Sequence, residues 1–129
     1  GGFGGANNHP LKGGKMNNWE GGIRGNSFVS GGFLPPSVRG SKFDGMVALW
    51  DWYATFASLA GVDPTDARAA AAGLPPIDSV DLWPMLSGAN TTSPRVEIAI
   101  AVDFAEFSKR PDVNTSALIS GRWKLLEGV

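Results

Sequence analysis

The sequence predicts an α/β fold that ends in a small antiparallel piece. Three observations predict it: a short β-rich run at Ser27–Ser30, a helix-spaced apolar series from Met46 to Ala60, and two apolar runs on either side of Gly121-Arg122. A strand and a helix followed by a hairpin suit an α/β domain joined to a small α+β region. At 129 residues, the chain has the length of one ordinary domain.

The first 26 residues are interpreted as loop with short extended pieces, because glycine is concentrated there. Eleven of the 18 glycines lie in the first 32 residues, many of them in Gly-Gly pairs. Glycine lets a backbone approach a neighbour closely, but it loses more conformational entropy on folding than other residues. We therefore expect contacts from outside this segment to order it. The predicted strand at Ser27–Ser30 follows and ends at Gly31-Gly32.

The strongest predicted element is a helix that ends at Gly61, where a left-handed C-cap belongs. Its apolar residues recur at spacings of three and four, which predicts one buried face, made of Met46, Leu49, Trp50, Tyr53, Phe56, Ala57 and Ala60. Asp51, Thr55 and Ser58 lie off that face. Asp51 and Asp44 are interpreted as capping or first-turn residues, and Trp50, Trp52 and Trp83 as core. Met46–Leu49 alternatively forms a short strand before a helix that starts at Asp51.

The remaining elements are shorter. The alanine-rich run Asp66–Ala72 predicts a helix stopped by Pro75-Pro76, and Leu82–Leu86 predicts one helical turn closed by Gly88. The apolar run Val96–Val102 predicts a buried strand. The final two apolar runs predict a hairpin that turns at Gly121-Arg122.

Composition excludes several classes of function. A net charge of −1 gives no electrostatic case for a nucleic-acid partner. No apolar run approaches the roughly 18 residues of a membrane span. The chain has no cysteine and one histidine, so it contains neither a disulfide nor a thiolate or multi-histidine metal site of its own. Two sequons, at Asn90 and Asn114, would accept glycans in a secretory protein.

The densest polar cluster is the segment Asn7–Lys15, which contains His9, Lys12, Gly13-Gly14 and Lys15. Lysine ammonium groups and glycine amides are suited to binding an oxyanion. A solvated basic loop is the simpler interpretation on composition alone. His9 has the pKa range of a general base, although a lone loop histidine is more often an ordinary polar residue. Glu20 and Arg24 flank Gly21-Gly22 and are interpreted as a structural ion pair.

Taken together, these segments resemble the sulfatase family and look closest to its arylsulfatase B-like branch. The resemblance is collinear and covers nearly the whole chain, through Asn7-Asn8-His9-Pro10-Leu11-Lys12-Gly13-Gly14-Lys15, Trp19-Glu20-Gly21-Gly22-Ile23-Arg24, Asp51–Gly61, Asp78–Gly88, Ser93-Pro94-Arg95-Val96-Glu97 and Gly121-Arg122-Trp123-Lys124-Leu125-Leu126.

The resemblance implies an alkaline-phosphatase-like α/β fold with a small C-terminal antiparallel sheet. Residues 1–88 would then be the C-terminal portion of the catalytic domain, and residues 89–129 the beginning of the antiparallel subdomain. The implied activity is hydrolysis of a sulfate ester or a sulfated glycan, with calcium as the cofactor. The implied location is the secretory pathway, either lysosomal or extracellular. Lys15 matches the family lysine that contacts the substrate sulfate, and Lys12 matches a supporting position that is often arginine; His9 is given no chemistry.

Important parts of the family pattern are absent from these 129 residues. The nucleophile motif Cys/Ser-x-Pro-x-Arg does not occur, and the metal-binding Asp-Asn pair is expected just before Gly1. We therefore expect a fragment without a catalytic residue or metal ligand, poorly folded and inactive on its own. The alternatives are a non-catalytic remnant or anion- or glycan-binding module on the same frame, and a phosphoryl-transfer enzyme of the same fold.

Overall fold

The structure is a computed structural model that describes residues 7–15, 17–100 and 116–127. By its internal contacts the chain divides into two compact units. One unit contains residues 29–96, and the other contains residues 1–28 together with residues 97–129. Each unit is described separately below.

The unit of residues 29–96 contains short helices and irregular segments. A 3₁₀ turn at Pro36–Val38 is followed by helices α2 (Asp51–Leu59), α3 (Ala67–Ala71) and α4 (Trp83–Leu86); helix α1 (Glu20–Ile23) belongs to the other unit. Asp66 caps α3 by accepting the amides of Arg68 and Ala69. Each of these three helices is followed by a glycine with a left-handed backbone conformation, at Gly61, Gly73 and Gly88. The predicted helices near 66–72 and 82–86 are confirmed, although α3 ends before Gly73 rather than at the prolines.

Helix α2 begins at Asp51, which was the second of the two predicted alternatives; Met46–Leu49 forms neither helix nor strand. The predicted buried face of this helix was wrong. Tyr53 and Phe56 are 56% and 60% exposed, whereas Asp51, Ala54 and Thr55 are buried. Trp50 is exposed as well, and Trp52 and Trp83 are only half-buried, so none of the three tryptophans is a fully buried core residue.

The polar face of α2 is buried because the segment after α3 supplies its hydrogen-bond partners. The Ser79 hydroxyl donates to the carbonyl of Trp50 at 2.7 Å and accepts the amide of Ala54 at 2.9 Å. The Thr55 hydroxyl accepts the amide of Leu82 at 2.9 Å. Buried polar groups are stable only when they are paired in this way. The apolar part of this small core consists of Leu34, Ala48, Ala54, Leu82 and Met85.

Asp51 is the centre of this buried face and is fully inaccessible to solvent. It binds Arg95 in a bidentate geometry, with distances of 2.7 Å from Nε to Oδ2 and 2.6 Å from Nη2 to Oδ1. The same carboxylate accepts the amides of Ala48 and Val80. The hydrogen bonds that Arg95 donates to Asp51 are the main cause that raises the pKa of Arg95 above its ordinary value. Asp51 is a first-turn residue, which was one of the two predicted interpretations, but the sequence did not predict its pairing with Arg95.

The unit of residues 1–28 and 97–129 contains helix α1 (Glu20–Ile23) and an antiparallel sheet of strands β1 (Glu97–Ile100), β2 (Ser116–Ser120) and β3 (Trp123–Glu127), in the order β1-β2-β3. Ser120 pairs with Trp123 across Gly121-Arg122, which confirms the predicted hairpin. β1 is an edge strand with alternating exposure, not the fully buried strand that was predicted. Residues 101 and 102 of that prediction lie outside the described residues.

Two further observations concern the backbone of the described residues. Residues 27–30 form no strand, so that prediction was wrong. Among the residues that the structure describes, no helix is long and apolar enough to cross a membrane.

Candidate functional site

The lysine-containing segment folds into a tight loop that packs on helix α1. We call residues 7–15 the lysine loop. The amide of Gly21 in α1 donates to the carbonyl of Lys12 at 2.8 Å, and the side-chain amide of Asn8 donates to the carbonyl of Gly13 at 3.2 Å. Gly13 has a φ of 87°, a conformation that favours glycine. The loop is therefore held at two successive carbonyls.

Asn17 closes the loop on its C-terminal side. Its side-chain oxygen accepts the amides of Gly14 and Trp19, each at 3.3 Å. The amide of Gly14 is thus used by Asn17 rather than by an external oxyanion. The lysine side chains are the remaining cationic groups of the segment.

Lys12 and Lys15 have different environments. The ammonium group of Lys12 lies 3.8 Å from the ring centroid of Trp19, in a cation–π contact. Both lysines are exposed. Within the described part of the chain, the side chain of Lys15 has no hydrogen-bond or ion-pair partner. Of the two candidate lysines, Lys15 is therefore the one available to bind an external anion.

Helix α1 approaches the lysine loop so closely that side chains would not fit between them. A Cβ atom on Gly21 would lie 2.4 Å from the carbonyl oxygen of Gly13. A Cβ atom on Gly22 would lie 2.4 Å from the carbonyl oxygen of Gly14 and 2.2 Å from that of Asn17. Both glycines are required because the backbone of the loop occupies the space of their missing side chains.

Glu20 makes its main ion pair with a residue that the sequence analysis did not single out. Its Oε1 accepts a hydrogen bond from Lys124 Nζ at 2.8 Å, whereas the predicted partner Arg24 is 4.0 Å away. Lys124 lies on β3, and its side chain is 17% exposed. The contact joins α1 to the hairpin. The predicted ion pair between Glu20 and Arg24 is therefore present as the longer of two contacts, and Lys124 is the closer partner.

The other candidate residues lie at the surface. His9 is exposed and its amide is bonded to the side chain of Asn7. Asn90 is exposed just after α4, whereas Asn114 lies outside the described residues. No group of three or more acidic or histidine residues in the described ranges could hold a metal ion, so these residues do not fit a calcium site.

The unit of residues 29–96 has an open groove on its surface. Its lining includes Trp50, Tyr53, Asp66 and Asp78. Asp66 caps α3, and Asp78 accepts a hydrogen bond from Arg95 at 3.2 Å. Two carboxylates make this groove unfavourable for an anion. The lysine loop is therefore the better candidate for an anion site.

We expect Gly22→Ala to destabilise the lysine loop by about 1–3 kcal/mol, because the new methyl group would overlap two backbone oxygens that cannot move independently. Gly25→Ala is the matched control, since nothing lies within 4 Å of its added Cβ. Denaturant unfolding of the complete protein measures both variants. Equal stability of the two variants would show that the loop does not pack on α1 in this way.

Sequence reasoning missed Asn17, Trp19 and Lys124 as supporting residues. A signal for Trp19 was available, because an aromatic residue close to a lysine in a loop permits a cation–π contact. No local signal points to Lys124, which lies 104 positions from Glu20.

Comparison with known proteins identifies relatives of the chain. No protein-family model matches it. Over 100 residues it is 36% identical to arylsulfatase J of Mus musculus, and over 91 residues it is 40% identical to steryl-sulfatase of Homo sapiens. The alignments cover 77% and 69% of this chain but 15% and 14% of the two relatives, so the chain spans about one seventh of their length. The similarity supports a relationship with the sulfatases, whereas the predicted arylsulfatase B-like branch stays a prediction.

Proposed function

We propose that this chain is a segment of a sulfatase, an enzyme that hydrolyses sulfate esters, and that it contributes the lysine loop to the substrate site. The observation that carries the proposal is the alignment of 77% of the chain with an arylsulfatase. The parent protein would have the alkaline-phosphatase-like fold of that family. Residues 1–88 would belong to its catalytic domain, and residues 89–129 would begin its small antiparallel subdomain.

Lys15 is the proposed sulfate-binding residue. It is a cation on a loop that is fixed at Lys12, Gly13 and Gly14 by hydrogen bonds, and its own side chain is exposed. A positioned ammonium group stabilises the negative charge that develops on sulfate oxygens in the transition state. Lys12 supports this arrangement, because its ammonium group lies over Trp19.

The nucleophile and the proposed calcium ion of the parent protein are assigned to residues outside this chain. When bound, calcium would neutralise charge on the sulfate group. The described residues supply no ligand set for it. We also propose that the parent protein passes through the secretory pathway. The exposed sequon at Asn90 is suited to glycosylation in that pathway.

The test is an assay of the complete protein that contains this chain. Hydrolysis of 4-nitrophenyl sulfate is compared with hydrolysis of 4-nitrophenyl phosphate at equal concentrations. We expect the sulfate ester to be preferred. Preference for the phosphate ester would identify a phosphoryl-transfer enzyme instead. Sulfate binding without hydrolysis of either ester would identify the non-catalytic binding module.

A further inference from the structure

We propose that Lys124 is a positioning residue, which holds the lysine loop in place through Glu20 and helix α1 and thereby sets the location of Lys15. The inference rests on the proposed function as far as catalysis is concerned, but its structural part can be tested separately. It makes the hairpin a support for the anion site.

The hairpin contacts helix α1 through Lys124. Lys124 lies on β3, where exposure alternates, and it shares the more covered face of that strand with Leu126. Trp123 and Leu125 point to the other face and are 72% and 67% exposed. A lysine on the covered face requires a partner, because its ammonium group has lost part of its hydration. Glu20 supplies that partner at 2.8 Å.

Helix α1 in turn packs against the lysine loop. Glu20 is followed directly by Gly21 and Gly22, whose missing side chains leave room for the carbonyls of Gly13 and Gly14. The hydrogen bond from the Gly21 amide to Lys12 fixes the register of this contact. Backbone packed against backbone does not adjust as a flexible side chain does, so a displacement of α1 displaces the loop.

Trp19, the residue directly before α1, makes a further contact with the lysine loop. Trp19 precedes Glu20, and its ring lies under the ammonium group of Lys12. Trp19 and Gly21, the two neighbours of Glu20 in the chain, therefore both contact Lys12. Lys15 follows three residues later on the same loop. Loss of the Lys124 contact releases α1 on one side and lets Lys15 shift from its position.

The experiment uses the complete protein with Lys124→Met, which keeps the length and apolar character of the side chain but removes its charge. Arg122→Met is the matched control, since it removes a cation from the same hairpin that contacts Trp123 rather than α1. Glu20→Gln tests the same ion pair from the other side with a smaller change. The exchanged pair Glu20→Lys with Lys124→Glu restores the opposite charges.

Hydrogen exchange is the first readout and does not depend on activity. We expect Lys124→Met and Glu20→Gln to speed exchange of the Gly21 amide and of residues 11–17 by about tenfold, because local opening becomes easier. Arg122→Met should leave these amides unchanged, and the exchanged pair should recover part of the protection. Unchanged exchange in both Lys124→Met and Glu20→Gln would overturn the inference.

Kinetics provide the second readout. We expect Lys124→Met to lower kcat/KM for 4-nitrophenyl sulfate by about tenfold or more, since small displacements of a binding group are costly. The same change should have no further effect in a Lys15→Ala background if it acts through Lys15. An equal loss in both backgrounds would overturn it. If the unaltered protein hydrolyses no sulfate ester, the proposed function fails, and hydrogen exchange still decides whether Lys124 positions the loop.

Discussion

Lys15→Ala is expected to lower kcat/KM for a sulfate ester by about a hundredfold or more, and Lys12→Ala by clearly less. The reason is that Lys15 presents an exposed ammonium group, whereas the ammonium group of Lys12 already lies over Trp19. Removing a group that stabilises developing charge typically costs about 10²–10³ in rate. Steady-state kinetics of the complete protein with 4-nitrophenyl sulfate measure both variants.

Two further variants sharpen the interpretation of this result. Lys15→Arg keeps the positive charge, so it should retain more activity than Lys15→Ala. Lys42→Ala removes a lysine whose side chain is 85% exposed and which pairs only with exposed Asp44 among the described residues, so it should leave the kinetics unchanged. Equal losses for Lys15→Ala and Lys12→Ala, or no loss at Lys15, would refute the assignment of Lys15 to the sulfate group.

The second large effect is expected at Arg95. Arg95→Met should destabilise the protein by about 3–5 kcal/mol, because it leaves the carboxylate of Asp51 buried without its bidentate partner. Arg95→Lys should also be costly, since a single ammonium group cannot reproduce two parallel hydrogen bonds. Urea unfolding of the complete protein, monitored by circular dichroism, measures the change.

The control for this effect is the exposed ion pair between Lys42 and Asp44, whose side chains are 85% and 76% exposed. Lys42→Met should change stability very little, because exposed pairs contribute little. The double variant Asp51→Leu with Arg95→Met should be less unstable than Arg95→Met alone, since no charge is then left buried. A double variant at least as unstable as the single one would show that packing, rather than the unpaired charge, dominates.

The inverted exposure of α2 explains why sequence periodicity misjudged it. The apolar series from Met46 to Ala60 has helical spacing, but Tyr53 and Phe56 are exposed and Asp51 and Thr55 are buried. Periodicity assumes that the apolar face of a helix is the covered one. In the described chain, the polar face is covered instead, because Ser79, Leu82 and Arg95 satisfy its hydrogen bonds.

At the candidate site, too, the sequence predicted part of the arrangement and the fold decided the rest. The sequence indicated that Lys12 and Lys15 are cations in a glycine-rich segment suited to an oxyanion. It did not distinguish their environments. The difference arises only from the fold, since both lysines are exposed but Trp19 contacts the ammonium group of Lys12 alone of the two.

The sequence alone established local features: the short alanine-rich helix near Asp66, the left-handed glycine after α2, the turn at Gly121-Arg122 and the collinear resemblance to sulfatases. These features depend on backbone preferences of neighbouring residues and on the order of motifs. The tertiary structure alone decided the pairing of Asp51 with Arg95 and of Glu20 with Lys124, which are 44 and 104 positions apart. A charged residue has the same local signal whether its partner is water or a distant side chain, so only the folded chain reveals which partner it has.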